Sequence, residues 1–188
     1  MSLSLRVGVG TFAAGVFAIL AAGGIVVRGG QAAPTDARLQ GQLKRLFPAA
    51  GSFSAKGGTP PHFRALAAAN GIDATRTLGF AFWTTELEPL ERGYDGPIKM
   101  LVGIDTAGIL TGVVVVSHHE PYGDFSIDPP EFAEQFKGKN IRDAFRVGAD
   151  VDAVSRATIT IMSATRAIRN SARRVAKQLI APPPGPAR

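Results

Sequence analysis

The stretch from residue 160 to 179 constrains this fold most. Ile161, Ala164, Ile168, Ala172, Val175 and Leu179 recur every three or four residues, which marks one face of an α-helix. Arg166, Arg169, Arg173, Arg174 and Lys177 fall mainly on the other face, and Pro182-Pro183-Pro184 terminates the run. Burying each larger side chain of the stripe contributes roughly 1.5–3 kcal/mol before entropy is counted. A second packed element must supply that burial.

Strand-like segments upstream provide it. Residues 98–105 and 110–118 read as two strands, and Asp105-Thr106-Ala107-Gly108 between them has the glycine of a hairpin loop, so the pair is antiparallel. Residues 79–87 read as a third strand. Phe80, Phe82 and Thr84 lie on one side and Ala81, Trp83 and Thr85 on the other, which predicts a strand covered on both faces. Earlier, residues 36–47 carry Leu39, Leu43, Leu46 and Phe47 at helical spacing, with Asp36 as cap and Pro48 as stop. Residues 51–61 read as a loop, 62–70 as a short helix stopped at Asn70-Gly71, 131–136 as a helical turn and 141–145 as another short helix. The fold class expected is α+β: an antiparallel sheet of roughly four to six strands with helices packed on it.

Residues 7–27 are uncharged and apolar on every face, long enough to cross a hydrocarbon layer of roughly 30 Å as a helix. Arg6 and Arg28 flank the run. An uncleaved anchor and a cleaved signal peptide both fit; the best cleavage sequence, Gly30-Gln31-Ala32-Ala33, is followed directly by Pro34. Either reading exports the remainder. The expected organisation is an anchor or signal over 1–30, a linker over 31–35, one domain over 36–181 and a Pro-rich tail over 182–188. For the anchored form, the expected location is the inner membrane, single-pass, with the domain on the periplasmic side.

The chain has no cysteine, which excludes disulfides, iron–sulfur clusters and thiolate metal sites within it. Its formal charge is +6, concentrated in the late arginines. No aromatic side chains are interleaved with them for base stacking, so nucleic acid is not an expected partner. The arginines read as the solvated face of the helix.

Thr158 and Thr160 lie at or just before the start of that helix, where free backbone N–H groups and the helix dipole favour a phosphate. Spacing alone favours an ordinary Ser/Thr cap. The surrounding run is more specific. Asp152-x-x-Ser155-x-Ala157-Thr158, with Ile159-Thr160 following, resembles the flavinylation motif of the FMN-binding domain family. That family includes subunits of sodium-pumping NADH:quinone reductases, Rnf-type electron-transport complexes, and the flavin domain of the membrane flavoprotein of nitrous oxide respiration. Further pieces occur in the matching order: Leu46-Phe47-Pro48, Gly79-Phe80-Ala81-Phe82, Arg92-Gly93-Tyr94-Asp95-Gly96-Pro97-Ile98, Leu101-Val102-Gly103-Ile104-Asp105, Gly108-x-x-Thr111-Gly112 and His118-His119-Glu120-Pro121. They cover roughly residues 40–180 and look most like the nitrous oxide respiration domain.

The resemblance implies FMN joined through its phosphate to Thr158 by a dedicated exported flavin transferase that uses FAD and Mg²⁺. Asp152, Ser155 and Ala157 are the matching motif residues, and Thr160 is an alternative attachment point. It also implies that the segment with His119 and Glu120 passes near the flavin ring, although a strand-end turn with solvated polar groups fits those residues as well. The 93–96 turn could line the flavin with Tyr94 stacked on it, or be an exposed turn with a packed Tyr. One position departs from the pattern. Arg156 stands where the family usually has glycine; glycine reaches φ > 0 freely and arginine does not. A guanidinium there could instead pair with the phosphate.

His118-His119-Glu120 is a poor metal site, because neighbouring strand residues point to opposite faces. No hydrolase triad has a recognisable context. The expectation is therefore an exported, membrane-tethered electron-transfer flavoprotein rather than a stand-alone enzyme, working with a membrane or periplasmic redox partner. The alternative is an accessory domain of a membrane respiratory complex that binds FMN noncovalently or senses redox state.

Overall fold

The computed structural model describes residues 36–68 and 76–180. The expected leader, linker and Pro-rich tail, and the Asn70-Gly71 helix stop, lie outside the described residues. Among the described residues no helix is long and apolar enough to cross a membrane.

The chain opens with helix α1 (Ala37–Leu46). The Asp36 carboxylate accepts from the Arg38 amide at 2.9 Å, the capping role its sequence position suggested. Five strands follow: β1 (Ala50–Phe53), β2 (Phe63–Ala67), β3 (Thr77–Trp83), β4 (Lys99–Asp105) and β5 (Leu110–Ser117). They pair in sequence order, and every pair is antiparallel. Between β3 and β4 the chain makes one helical turn, α2 (Thr84–Leu87). After β5 come two short turns, α3 (Gly123–Ser126) and α4 (Pro130–Glu134), and then the long helix α5 (Thr158–Leu179). This is an α+β domain.

The strand alternation sorts two cores onto the two faces of the sheet. Phe80 and Phe82 of β3, with Met100, Val102 and Ile104 of β4, face α5 and its buried stripe of Ile161, Ala164, Ile168, Ala172 and Val175. Ala81, Trp83, Leu101 and Val114 face the other way, onto Leu43, Leu46 and Phe47 of α1 and its exit. That second layer depends on Gly103. A Cβ there would lie 2.3 Å from the Thr111 hydroxyl oxygen and 3.2 Å from Leu46 Cβ, so only glycine lets the helix end sit down on β4.

Four sequence expectations need correction. Residues 63–67 form strand β2, not a helix. Phe63, Ala65 and Ala67 are buried while Arg64 and Leu66 are half-buried, and pairing with β1 and β3 on either side decides the conformation. β1 itself, Ala50–Phe53, runs three residues into the stretch expected to be a loop. Residues 84–87 leave the strand because the Thr84 hydroxyl, fully buried, takes the Met100 amide at 3.1 Å and turns the chain over β4. Residues 141–145 form turns rather than a short helix. Asn140 and Asp143 hydrogen-bond local backbone there, which competes with helix formation.

The arginine face of α5 is less free than a solvated row. Arg166 grips Glu91 (2.7 Å), Arg174 pairs with Glu88 (2.9 Å), and Arg173 donates to the carbonyls of Ile141 and Asp143 (2.8 Å each). These contacts tie the 88–91 and 141–143 loops to the helix. Each exposed pair contributes only modestly, up to about 1 kcal/mol.

Candidate functional site

The site is built at the start of α5. The helix begins at Thr158, three residues before the apolar stripe opens at Ile161, and Ala157 occupies the N-cap position with φ −117° and no capping side chain. The chain reaches it through a turn in which the Ala157 amide donates to the Val154 carbonyl at 3.1 Å. Inside that turn Arg156 holds φ at 69°, the left-handed region that glycine enters without penalty. The backbone shape expected of a glycine is therefore adopted with arginine in place. Ser155, Arg156 and Asp152 are exposed, and the Asp152 amide donates to Gln135 Oε1 at 2.8 Å. With no side-chain cap, the first α5 amides present the positive end of the helix dipole.

The two candidate threonines differ sharply. Thr158 is exposed. Thr160 is 2% exposed, and its hydroxyl donates to Glu120 Oε2. At about 100° per helical residue, the two side chains leave α5 about 200° apart. Of the two, Thr158 faces solvent and Thr160 is buried and hydrogen-bonded.

Glu120 gathers the motifs. Its carboxylate accepts from the amides of Tyr94 and Asp95, both at 2.9 Å, as well as from Thr160. Burial pushes this carboxyl up, but the Thr160 and backbone hydrogen bonds, with a smaller contribution from His118, outweigh it and hold it below the ordinary glutamate range. Gly93 makes the approach possible, since a Cβ there would lie 2.3 Å from Glu120 Oε1. The His118 ring supports the clamp: Nδ1 accepts from the Glu120 amide at 3.1 Å, and Nε2 faces Asp128 at 2.9 Å. So the 93–96 turn, the 118–121 segment and the first turn of α5 meet at one carboxylate. Glu120, expected near a ring, accepts from two backbone amides and from the Thr160 hydroxyl. Tyr94 is 70% exposed and His119 is exposed. Among the described residues, no three His, Asp or Glu side chains group as metal ligands.

A groove of about 420 Å³ opens beside Thr158. One wall is a stripe of α5, Thr158, Met162, Thr165 and Arg169, spaced at four, seven and eleven residues from the first. The other wall is the 144–147 loop, with Phe145 and Val147. Phe145 is buried and holds φ at 50°; Asp150 fixes it by accepting its amide at 2.9 Å and also the amide of Arg146. Thr165 is 1% exposed, and its hydroxyl has no hydrogen-bond partner. Sequence reasoning missed Thr165, Arg169 and the whole opposite wall. The α5 stripe was readable as a second period beside the apolar one; the loop was not, because nothing local shows where it returns.

FMN fits the donors present. Its phosphate suits the uncapped helix start at Thr158. Its body suits a groove with apolar walls at Phe145, Val147 and Met162 and half-buried Arg166 and Arg169 at its edge.

Comparison with known proteins agrees with this chemistry. Residues 93–173 match the model of the FMN-binding domain, the family that the motifs around Thr158 resemble. The chain is 34% identical over 89 residues to the G component of the ion-translocating oxidoreductase complex of Vibrio vulnificus, covering 42% of each protein. It is 33% identical over 89 residues to the component of the same name from Shewanella baltica, again 42% of each. To the regulatory protein NosR of Pseudomonas aeruginosa it is 30% identical over 115 residues, 55% of this chain and 16% of NosR. The match thus spans less than half of the oxidoreductase components and a small part of NosR.

Proposed function

We propose that this chain, carrying its FMN-binding match over residues 93–173, is an exported, membrane-tethered flavoprotein. It passes electrons through an FMN joined by a phosphoester to Thr158. One observation carries the attachment point. Two threonines stand two residues apart, and only Thr158 offers a free hydroxyl, at an uncapped helix start and at the mouth of a groove.

The bound FMN supplies the redox chemistry, while the protein supplies binding, orientation and electrostatics. The amides of the first α5 turn hold the phosphate charge. The Glu120 clamp fixes that turn relative to residues 93–96. Tethering through residues 7–27 would hold the domain, residues 36–181, at the periplasmic face of the inner membrane. The Vibrio and Shewanella relatives are named as parts of ion-translocating oxidoreductase complexes, which supports a membrane or periplasmic redox partner for this chain. Maturation would require an exported flavin transferase.

The test is to produce the protein with an active flavin transferase, denature it, and measure the intact mass and the mass of the peptide containing Thr158. An FMN phosphoester on that peptide, absent from Thr158→Ala, is the expected result. An adduct that persists in Thr158→Ala would remove Thr158 from the site. A second reading, noncovalent FMN binding by an accessory or redox-sensing domain, is favoured by one feature, the arginine at φ 69° where the transferase would meet the turn. No adduct, with the transferase active on a control substrate, would select it.

A further inference from the structure

We infer that the outer edge of β5 is a docking site for an extended acidic segment of a partner protein, which adds to the five-stranded sheet as a further strand between the end of α1 and α4. The inference is independent of where or how a flavin is held.

The sheet order leaves β1 and β5 as its edges. β1 has four residues, and its register breaks between Ala50 and Ser52; both features blunt an edge. β5 runs for eight residues, with consecutive valines from Val113 to Val116 and neither proline nor charge. Its outer edge is paired at one end. The Leu110 amide donates to the Lys139 carbonyl, and the Gly138 amide donates to the Leu110 carbonyl, both at 2.8 Å. Among the described residues, no backbone bond to another element continues that pairing along residues 111–117. In an antiparallel ladder alternate residues aim their amide and carbonyl away from the neighbouring strand. This stretch therefore presents a row of unpaired backbone groups, the template that an incoming strand needs.

The flanks define the occupant. A cleft of about 210 Å³ follows the edge, with residues 111–114 along it. Leu46 and Val114 belong to the core on the α1 face of the sheet, and Val113 and Phe132 to the core on the α5 face. The cleft thus has one wall on each face: Arg45 at the end of α1, and Glu134 and Lys137 at the end of α4. Arg45 and Lys137 are exposed, and neither has an ion-pair or hydrogen-bond partner among the described residues. Successive side chains of an added strand point to opposite faces. Two adjacent carboxylates on it would therefore meet one cation on each wall. Glu134 is the single acid in the lining, which leaves the cleft net positive. That charge argues against a second copy of this chain as occupant. A second copy would bring the same two cations to the same edge, and each chain carries a formal charge of +6. Backbone pairing supplies affinity here, and the two cations select an acidic partner.

The test uses the full chain in detergent and two labelled, end-blocked peptides as long as β5. Both are built of valine and threonine; one has two adjacent central glutamates, the other two lysines. Binding is read by fluorescence anisotropy, and the site by amide hydrogen exchange. The expected result is that the glutamate peptide binds several-fold tighter than the lysine peptide and slows exchange within residues 111–117. The Arg45→Glu/Lys137→Glu double variant, changed only at exposed side chains, should invert that preference. Its unliganded exchange pattern, matching wild type elsewhere in the sheet, shows that it folds. No binding, equal binding of the two peptides, or binding that leaves residues 111–117 unprotected would overturn the inference. So would an unchanged preference in the double variant. Protection of the same amides that grows with protein concentration in the absence of peptide would also overturn it, by giving the edge to a second copy.

Discussion

Replacing Arg156 with glycine should stabilise this protein, although it deletes a whole side chain. Arg156 holds φ at 69°. For a residue with a Cβ, the left-handed conformation costs about 1–2 kcal/mol, because Cβ crowds the carbonyl oxygen. Glycine removes that penalty but gives the unfolded chain more freedom, which returns about 0.5–1 kcal/mol. The Arg156 side chain is exposed, so little packing is lost. The net gain is about 0.5–1 kcal/mol. In a domain of this size, 1 kcal/mol moves Tm by about 2–4 °C, so the expected rise is about 1–4 °C. The assay is thermal unfolding of the purified protein in detergent followed by circular dichroism, with Arg156→Ala as companion. Alanine removes the guanidinium but keeps the strained backbone, so it should stay within about 0.5 kcal/mol of wild type, as surface changes usually do. If glycine is no more stable than alanine, the strain argument fails. If both rise together, the guanidinium was the unfavourable group. The same variant has a second readout: if the transferase reads the backbone of this turn, Arg156→Gly should also raise the yield of flavin on Thr158.

Other outcomes follow from the buried polar groups. Thr160→Ala should keep flavin attachment at Thr158 but lower stability by about 1–3 kcal/mol, since it leaves Glu120 a donor short, and Thr160→Ser should recover most of the loss in urea melts. Glu120 has a folded pKa below its unfolded value, so its contribution is complete above the ordinary glutamate value of about 4.3 and is lost as pH falls through the lowered folded value. Glu120→Gln should therefore lower stability at neutral pH and flatten the acid limb of a stability–pH curve; an unchanged limb would show that another carboxylate governs it. Without flavin, Thr165→Val should be neutral or stabilising by up to about 1 kcal/mol in urea melts, because it removes an unsatisfied buried hydroxyl, whereas a marked loss would mean the hydroxyl has a partner.

Local pattern was enough for some of this structure. The β4–β5 hairpin was legible because its strands are long, apolar and separated by a glycine-bearing turn. α5 was legible because its stripe runs for most of its 22 residues. β2 was not. Phe63-Arg64-Ala65-Leu66-Ala67 is built partly from good helix formers, and its alternation carries weight only once β1 and β3 lie on either side. The site divides in the same way. The motif around Thr158 announced itself in sequence, and so did the odd residue at 156. The role of Glu120 did not, since its partners sit 25, 26 and 40 residues away. The groove wall at residues 144–147 was hidden for the same reason, and a short helix was expected to end there.

The clamp at Glu120 bears on anyone who would transplant this site. Residues 152–160 look like a portable tag, short and contiguous. Here, however, the helix start they form is fixed by a carboxylate from the end of β5, and that carboxylate fits only because residue 93 has no side chain. A host protein given the tag alone would receive Thr158 without the brace that orients its helix. A working transplant would have to carry Gly93, the 94–95 amides, Glu120 and Thr160 as one set, in the spacing that β4 and β5 impose.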